Sequence, residues 1–284
     1  MKAPPFAYAR ARRLAEVFPL LEKYGDGARL LAGGQSLIAT LNMRLSAPEL
    51  LIDISRLGEL SGVQVRDGVV RIGALTTHAE IERSPEIRKH LPLLAQAAPH
   101  IAHPAIRNVG TIGGSLALAD PAAEWPACCV ALDAQILLAG KSSERRVAAR
   151  DFFKGLYSTA LKPAEVLTHI EIKLPGPEYR SAFVELAQRR GDYAIAGVAA
   201  VAKRASGTLT DLRLAYLGMG QTPVLARSAM AAMEGKRAAA DTISAAGEAL
   251  SRDLDPAPDL YSSAATKMHL ARVLTGRALA ALAQ

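Results

Sequence analysis

The sequence predicts an α+β fold in two parts, and three observations carry that prediction. A mostly apolar run at 28–32, broken only by Arg29, is followed at once by Gly33-Gly34, and then by Leu37, Leu41 and Leu45 at helical spacing. Val63, Val65, Val69 and Ile72 flank Asp67-Gly68, a strong signal for a tight hairpin turn. The last third reads as three strands followed by Ala-rich helical text. With 284 residues, half of them hydrophobic, the chain can fill one large or two ordinary domains.

In order, Leu14, Val17, Phe18 and Leu21 predict a surface helix over 14–24, ended by Gly25-Asp26-Gly27. The strand at 28–32 and a helix from Leu37 follow; the helix stops before Pro48, because the residue ahead of a proline avoids helical geometry. A short buried strand at 50–54 completes a small α/β unit, 1–57. After the hairpin at 62–73, residues 76–90 and 91–101 read as helices punctuated by Pro85, Pro92 and Pro99. Strands are expected at 134–138 and 145–148, joined by a polar turn. Over 165–174, Val166, Ile170, Ile172 and Leu174 share one face and Glu165, His169, Glu171 and Lys173 the other, with Leu167 and Thr168 breaking the alternation. Pro175-Gly176-Pro177 marks a domain boundary, dividing 1–176 (with 1–57 and 58–176 as sub-units) from 177–284. Beyond it lie strands at 182–187, 195–202 and 208–217, then a helix over 264–282 with Leu270, Val273, Leu274, Ala278 and Leu282 as its apolar stripe.

Composition narrows the function. The net charge is +7, but no basic cluster is interleaved with aromatics, so nucleic acid is not expected as a partner. The cysteines, Cys128 and Cys129, are too few to ligate an iron–sulfur cluster or a structural zinc and read as small buried residues. Residues 1–20 lack the apolar core of a signal peptide, and no apolar run approaches the ~20 residues that span a bilayer; a cytoplasmic location is expected. Among the six histidines no zinc-protease pairing occurs. His100 and His103 precede the second glycine stretch, and two roles stay open for them: lining a pocket or satisfying structural hydrogen bonds.

The chemistry gathers at two glycine stretches, Ala32-Gly33-Gly34-Gln35-Ser36-Leu37 and Asn108-Val109-Gly110-Thr111-Ile112-Gly113-Gly114-Ser115. Each is a turn at the start of a helix, where unpaired N–H groups attract anions and glycine lets a phosphate approach the backbone. No Lys follows the glycines and the G-x-G-x-x-G spacing is missing, which excludes a nucleoside-triphosphate loop and the usual dinucleotide fingerprint. A dinucleotide has two phosphates, and two turns can grip it from both sides.

Both stretches resemble the flavin-binding signatures of the FAD subunit of molybdenum hydroxylases, of the aerobic carbon monoxide dehydrogenase medium-subunit type. Pro5-Phe6-Ala7-Tyr8, Leu41-Asn42-Met43-Arg44, Arg189-Arg190-Gly191-Asp192-Tyr193-Ala194 and His269-Leu270-Ala271-Arg272-Val273-Leu274 extend the resemblance over essentially the whole chain. It implies a two-part FAD-binding domain of vanillyl-alcohol-oxidase type, followed by a small domain of three-stranded antiparallel sheet plus helices. It implies FAD held by Ala32, Gly33, Gly34, Gln35, Ser36 and Leu37 on one side and by Thr111, Gly113, Gly114 and Ser115 on the other. Glu124 takes the place of the ribose-binding carboxylate, with Asp120 as the other candidate; Leu167 matches an apolar position near the adenine or ring; Tyr193 matches the aromatic beside the isoalloxazine. Gln35 stands where the family often has His, and cannot titrate near neutral pH. The implied partners are a large molybdopterin subunit that oxidises the substrate and a small subunit with 2Fe–2S clusters, in a dimer of heterotrimers. The implied role is electron transfer from those clusters through FAD to an external acceptor. The alternative is a self-sufficient FAD-dependent oxidase or reductase.

Overall fold

A computed structural model describes residues 2–284. The chain opens with a small parallel sheet in the order β1-β3-β2, from β1 (Ala7–Arg10), β2 (Ala28–Leu31) and β3 (Leu50–Asp53). Helix α1 (Val17–Tyr24) buries Val17, Phe18 and Leu21 and ends where Gly25 turns to φ 47°. Helix α2 (Leu37–Asn42) is shorter than its leucine spacing suggests: Arg44 takes φ 59°, which ends the helix, and Leu45 is left 72% exposed. The glycine turn of 33–36 therefore leaves the carboxyl end of β2, the edge of a parallel sheet at which α/β folds bind ligands.

The second sheet is antiparallel, in the order β4-β5-β10-β6-β7. Strands β4 (Val63–Arg66) and β5 (Val69–Gly73) form the expected hairpin, with Asp67 and Gly68 both left-handed, at φ 51° and 76°, as a type I′ turn requires. The two helices expected over 76–101 are three, α3 (His78–Arg83), α4 (Pro85–His90) and α5 (Pro92–Ala97). Pro85 and Pro92, each at the first helical position, lack the N–H that would continue a preceding helix, and the Ser84 hydroxyl accepts from Ile87 N at 3.2 Å to start α4 afresh. Helices α6 (Pro104–Arg107), α7 (Ile112–Leu118) and α8 (Glu124–Ala131) follow, then β6 (Gln135–Ala139), β7 (Glu144–Ala148), α9 (Ala149–Phe152) and a small hairpin of β8 (Phe153–Gly155) and β9 (Ser158–Thr159). Strand β10 (Val166–Lys173) carries a bulge between Leu167 and His169, which is the physical origin of the broken alternation at Leu167-Thr168.

The third sheet holds the three long strands, β11 (Tyr179–Ala187), β12 (Ala194–Ala205) and β13 (Thr208–Leu217), with two short additions paired to β13: β14 (Val224–Leu225) and β15 (Lys236–Arg237). Helices α10 (Arg227–Met233), α11 (Ala240–Ala249) and α12 (Ala264–Ala283) share a core with the strands. The buried stripe of α12 differs from the leucine–valine stripe expected: Ala271, Leu274, Thr275, Ala278, Leu279 and Leu282 are buried, Leu270 is half-buried and Val273 is 37% exposed. Thr275 is tolerated inside because its hydroxyl lies 2.6 Å from both the Ala271 carbonyl oxygen and Tyr216 Oη.

Helix α8 joins the two halves. All eight of its residues are buried, and it packs on β12 and β13, so one apolar core runs from Ile72 and Trp125 through Cys128 and Cys129 to Ala199 and Leu217. Both cysteines are buried free thiols, and burial pushes the Cys129 thiol up to about 12.

Candidate functional site

The two glycine turns touch. A Cβ placed on Gly33 would overlap the Val109 carbonyl oxygen and lie 2.8 Å from the Val109 carbonyl carbon and 2.9 Å from Gly110 Cα. Glycine is thus required at 33 by the second turn itself, not by a ligand. Gly113 is packed in the same way against Ala74, while Gly34 is left-handed at φ 72°. Gly114 is different: apart from the Thr111 hydroxyl at 2.9 Å, nothing lies within 4 Å of its Cβ position.

The turns differ in what they offer. The N–H groups of Gly33, Gly34, Gln35, Ser36 and Leu37 have no acceptor among the described residues, and Ser36 does not cap α2 with its side chain. In the second turn the donors are mostly taken: Gly113 N–H donates to the Ala74 carbonyl oxygen at 2.8 Å, Ser115 N–H to that of Thr111 at 3.1 Å, and Gly114 N–H to Thr111 Oγ1 at 3.1 Å. Free N–H groups are therefore concentrated in the first turn. The second offers the Thr111 N–H and the Thr111 and Ser115 hydroxyls.

A cleft of about 760 Å³ opens between the turns, and all thirteen residues singled out in the sequence line it: the segment 32–37, Thr111, Gly113, Gly114, Ser115, Glu124, Leu167 and Tyr193. Leu167 is buried at the bulge of β10. Tyr193, 72% exposed, stands at the lip. Its loop is fixed by Gly191, which is left-handed at φ 86° and packed so tightly on Ala102 that a Cβ would overlap the Ala102 carbonyl oxygen. Arg107, buried, holds that floor by donating to the Ile101 and Ala102 carbonyl oxygens at 3.0 and 3.1 Å while pairing with Glu82 at 2.9 Å.

Two carboxyls share one end of the cleft. Asp120 accepts from Ala122 N–H at 2.9 Å and lies 3.5 Å from Tyr157 Oη. Glu124 is only 8% exposed; burial, then the charges of Glu185 and Asp120, push its carboxyl up to about 8. At neutral pH it is a carboxylic acid that both donates and accepts.

Neither His100 nor His103 lines the cleft, and neither do Arg189 and Arg190. The histidine that does is His78: Trp125 Nε1 donates to its Nδ1 at 2.9 Å, and burial, with the Arg107 charge, brings it down to about 4. It is neutral, with its proton on Nε2. Tyr157, at the tip of the β8–β9 hairpin, also lines the cleft and was not singled out in the sequence.

Free N–H groups on one side, hydroxyls on the other, an open face at Gly114 and a volume within the usual range of about 300–1,000 Å³ for cofactor and ligand pockets together define a site for an elongated diphosphate cofactor. Residues 4–175 match the family model for the FAD binding domain in molybdopterin dehydrogenase, and residues 181–282 match that for the CO dehydrogenase flavoprotein C-terminal domain. The chain is 38% identical over 283 residues to the 6-hydroxypseudooxynicotine dehydrogenase complex subunit alpha of Paenarthrobacter nicotinovorans, covering 99% of this chain and 95% of the relative. It is 36% identical over 279 residues to the carbon monoxide dehydrogenase medium chain of Hydrogenophaga pseudoflava, covering 98% and 97%. A solved structure of carbon monoxide dehydrogenase from that organism superposes with a TM-score of 0.97 at 38% identity, over 99% of this chain and 98% of the other. The protein is thus a FAD-binding flavoprotein of oxidoreductase type. More narrowly, it belongs to the FAD-binding medium subunits of the molybdenum hydroxylase family, of carbon monoxide dehydrogenase type.

Proposed function

We propose that this chain is the electron-transferring FAD subunit of a molybdenum-containing hydroxylase, taking electrons from the 2Fe–2S clusters of a small partner subunit and delivering them to an external acceptor. The contact between two glycine turns more than seventy residues apart carries this reading, because it creates one cleft from both flavin signatures. The names of the relatives, a medium chain and a complex subunit, support the presence of a large molybdopterin subunit and a small iron–sulfur subunit. A dimer of heterotrimers, a division of the chain into 1–176 and 177–284, and a cytoplasmic location belong to the same proposal. Among the described residues no helix is long and apolar enough to cross a membrane.

The turn at 33–37 offers its free N–H groups to the pyrophosphate, and the Thr111 and Ser115 hydroxyls donate from the opposite side. Gly114 keeps the passage between them open. Glu124, holding its proton, hydrogen-bonds ribose hydroxyls as donor or acceptor. Leu167 supplies an apolar wall, and Tyr193 at the lip presents a ring face to the isoalloxazine. When bound, FAD supplies the exchange between one-electron and two-electron chemistry; the chain binds, orients and shields it.

Purification of the native complex tests the assignment. Three kinds of subunit with FAD on this one are expected, and substrate turnover by this chain alone would establish the self-sufficient oxidase or reductase instead.

A further inference from the structure

A second cavity, of about 350 Å³, opens where the junction of α4 and α5 meets the start of β11, and it shares no lining residue with the cofactor cleft. That volume falls within the usual range of small-molecule sites, about 300–1,000 Å³. Leu91, Leu93, Leu132 and Val201, all buried, give it an apolar lining. Lys89 and Arg180 also line it, and no carboxylate does.

One wall leaves hydrogen-bond donors unused. Strand β11 is the edge of its sheet, and alternate residues turn their backbone groups away from β12. On that free edge Tyr179 N–H donates to the Gly176 carbonyl oxygen at 3.0 Å and Phe183 N–H to Gln96 Oε1 at 3.0 Å, while the Ser181 carbonyl oxygen accepts from Gln96 Nε2 at 3.3 Å. Ser181 N–H lies on the same edge and has no acceptor among the described residues. The Ser181 hydroxyl oxygen is buried and has no hydrogen-bond partner either. Buried polar groups without partners are costly and rare, and two on one cavity residue call for an explanation.

The charges nearby are free on one side and spent on the other. Arg180 donates through Nη1 alone to the Pro177 and Tyr179 carbonyl oxygens, at 3.0 Å each, which fixes the guanidinium and leaves Nε and Nη2 unused. Lys89 is exposed and makes no ion pair among the described residues. The neighbouring carboxylates are engaged: Glu86 with His90 at 3.4 Å, Glu178 with Lys203 at 3.4 Å, and Asp211 with the Tyr179 hydroxyl at 2.6 Å.

We propose that this cavity is a binding site for a small organic carboxylate with an apolar body. The body displaces water from the leucine and valine lining. The carboxylate accepts from Ser181 N–H and Arg180, the Ser181 hydroxyl joins by rotation about χ1, and Lys89 adds charge. The walls come from both sides of residues 175–177, so the ligand ties α4 and α5 to β11 and stabilises the folded chain by mass action.

Calorimetric titration and thermal unfolding of the flavin-loaded full chain test the site, the flavin keeping the probe out of the cofactor cleft. The probe is 1-naphthoate, with 1-naphthalenemethanol as its neutral counterpart. Naphthoate should bind and raise Tm with its concentration, and the alcohol should bind about tenfold more weakly for want of charge-assisted hydrogen bonds. Reversing the charges, Lys89→Glu with Arg180→Glu, should weaken naphthoate by at least about tenfold with flavin content unchanged. Ser181→Ala removes an unpartnered hydroxyl, so Tm without probe should hold or rise while naphthoate binds more weakly, a pairing that a structural hydroxyl would not produce. No binding of naphthoate to the wild-type chain, equal affinity for the alcohol, or undiminished affinity in either variant overturns the proposal. So does displacement of naphthoate by an equal concentration of inorganic phosphate, which would reveal an anion site with no use for the apolar lining.

Discussion

Gly33→Ala and Gly114→Leu separate the two uses of glycine in this site. The new Cβ at 33 would meet the carbonyl carbon of Val109 at 2.8 Å and Gly110 Cα at 2.9 Å, with the Val109 oxygen closer still, where ordinary contact begins at 3.4 Å. The second turn must retreat by more than about 0.5 Å, a distortion in the range of overpacked cores, about 1–3 kcal/mol. Gly33 carries no positive φ, so the cost is steric and not conformational. It should appear in the flavin-free chain as a fall in Tm of several degrees, and the parted turns should also lose FAD. Gly114→Leu disturbs only the Thr111 cap, worth about 0.5–2 kcal/mol, and sends its side chain into the cleft. Flavin should be lost while the Tm of the flavin-free chain falls less than in Gly33→Ala. Thermal unfolding of the flavin-free proteins and the ratio of flavin to protein absorbance after reconstitution measure both quantities. A Gly33→Ala protein with wild-type Tm and full flavin content would refute the reasoning, because the turns would then not be in contact.

Glu124→Gln should change the pH dependence of stability. The folded carboxyl titrates at about 8, above its ordinary value of 4.5, so its contribution is complete below 4.5 and is lost as the pH rises towards 8, at up to about 1.4 kcal/mol per unit. Urea midpoints should therefore favour flavin-free Glu124→Gln over wild type more at pH 8 than at pH 5, and an equal difference at both values would exclude a buried protonated Glu124. His78, lowered to about 4, has the opposite sign, losing its contribution as the pH falls from 6.5 towards 4, but it is common to both proteins and cancels. Gly191→Ala should free the Tyr193 loop from Ala102 while sparing the pyrophosphate turns, so FAD is retained but its fluorescence rises; unchanged fluorescence would count against a ring contact by Tyr193.

Local signals were legible wherever one residue type dictates the backbone. Asp67-Gly68 announced a left-handed turn, and the interruption at Leu167-Thr168 was a bulge. The two glycine stretches announced the cleft. What they could not show is that Gly33 serves Val109, since that contact depends on how the first and second sheets meet. The same limit hid His78, whose place is set by a hydrogen bond from Trp125, 47 residues away. It also concealed that Gly113 spends its N–H on Ala74. In α12 the hydrophobicity of Leu270 and Val273 pointed to a face slightly rotated from the true one, because small residues, Ala271 and Thr275, lie on the buried side. The prolines at 85 and 92 were visible as punctuation; both divide the helical text, the first with a side-chain cap from Ser84 and the second with none from Leu91.

Helix α8 has no side facing water. Its inner neighbours come from the flavin half and its outer neighbours from β12 and β13, so a fragment cut at residue 176 would present one side of a wholly buried helix to solvent as a sticky apolar strip. Expressed alone, that half should aggregate however intact its nucleotide turns are, and it would also lack Tyr193 at the lip of the cleft.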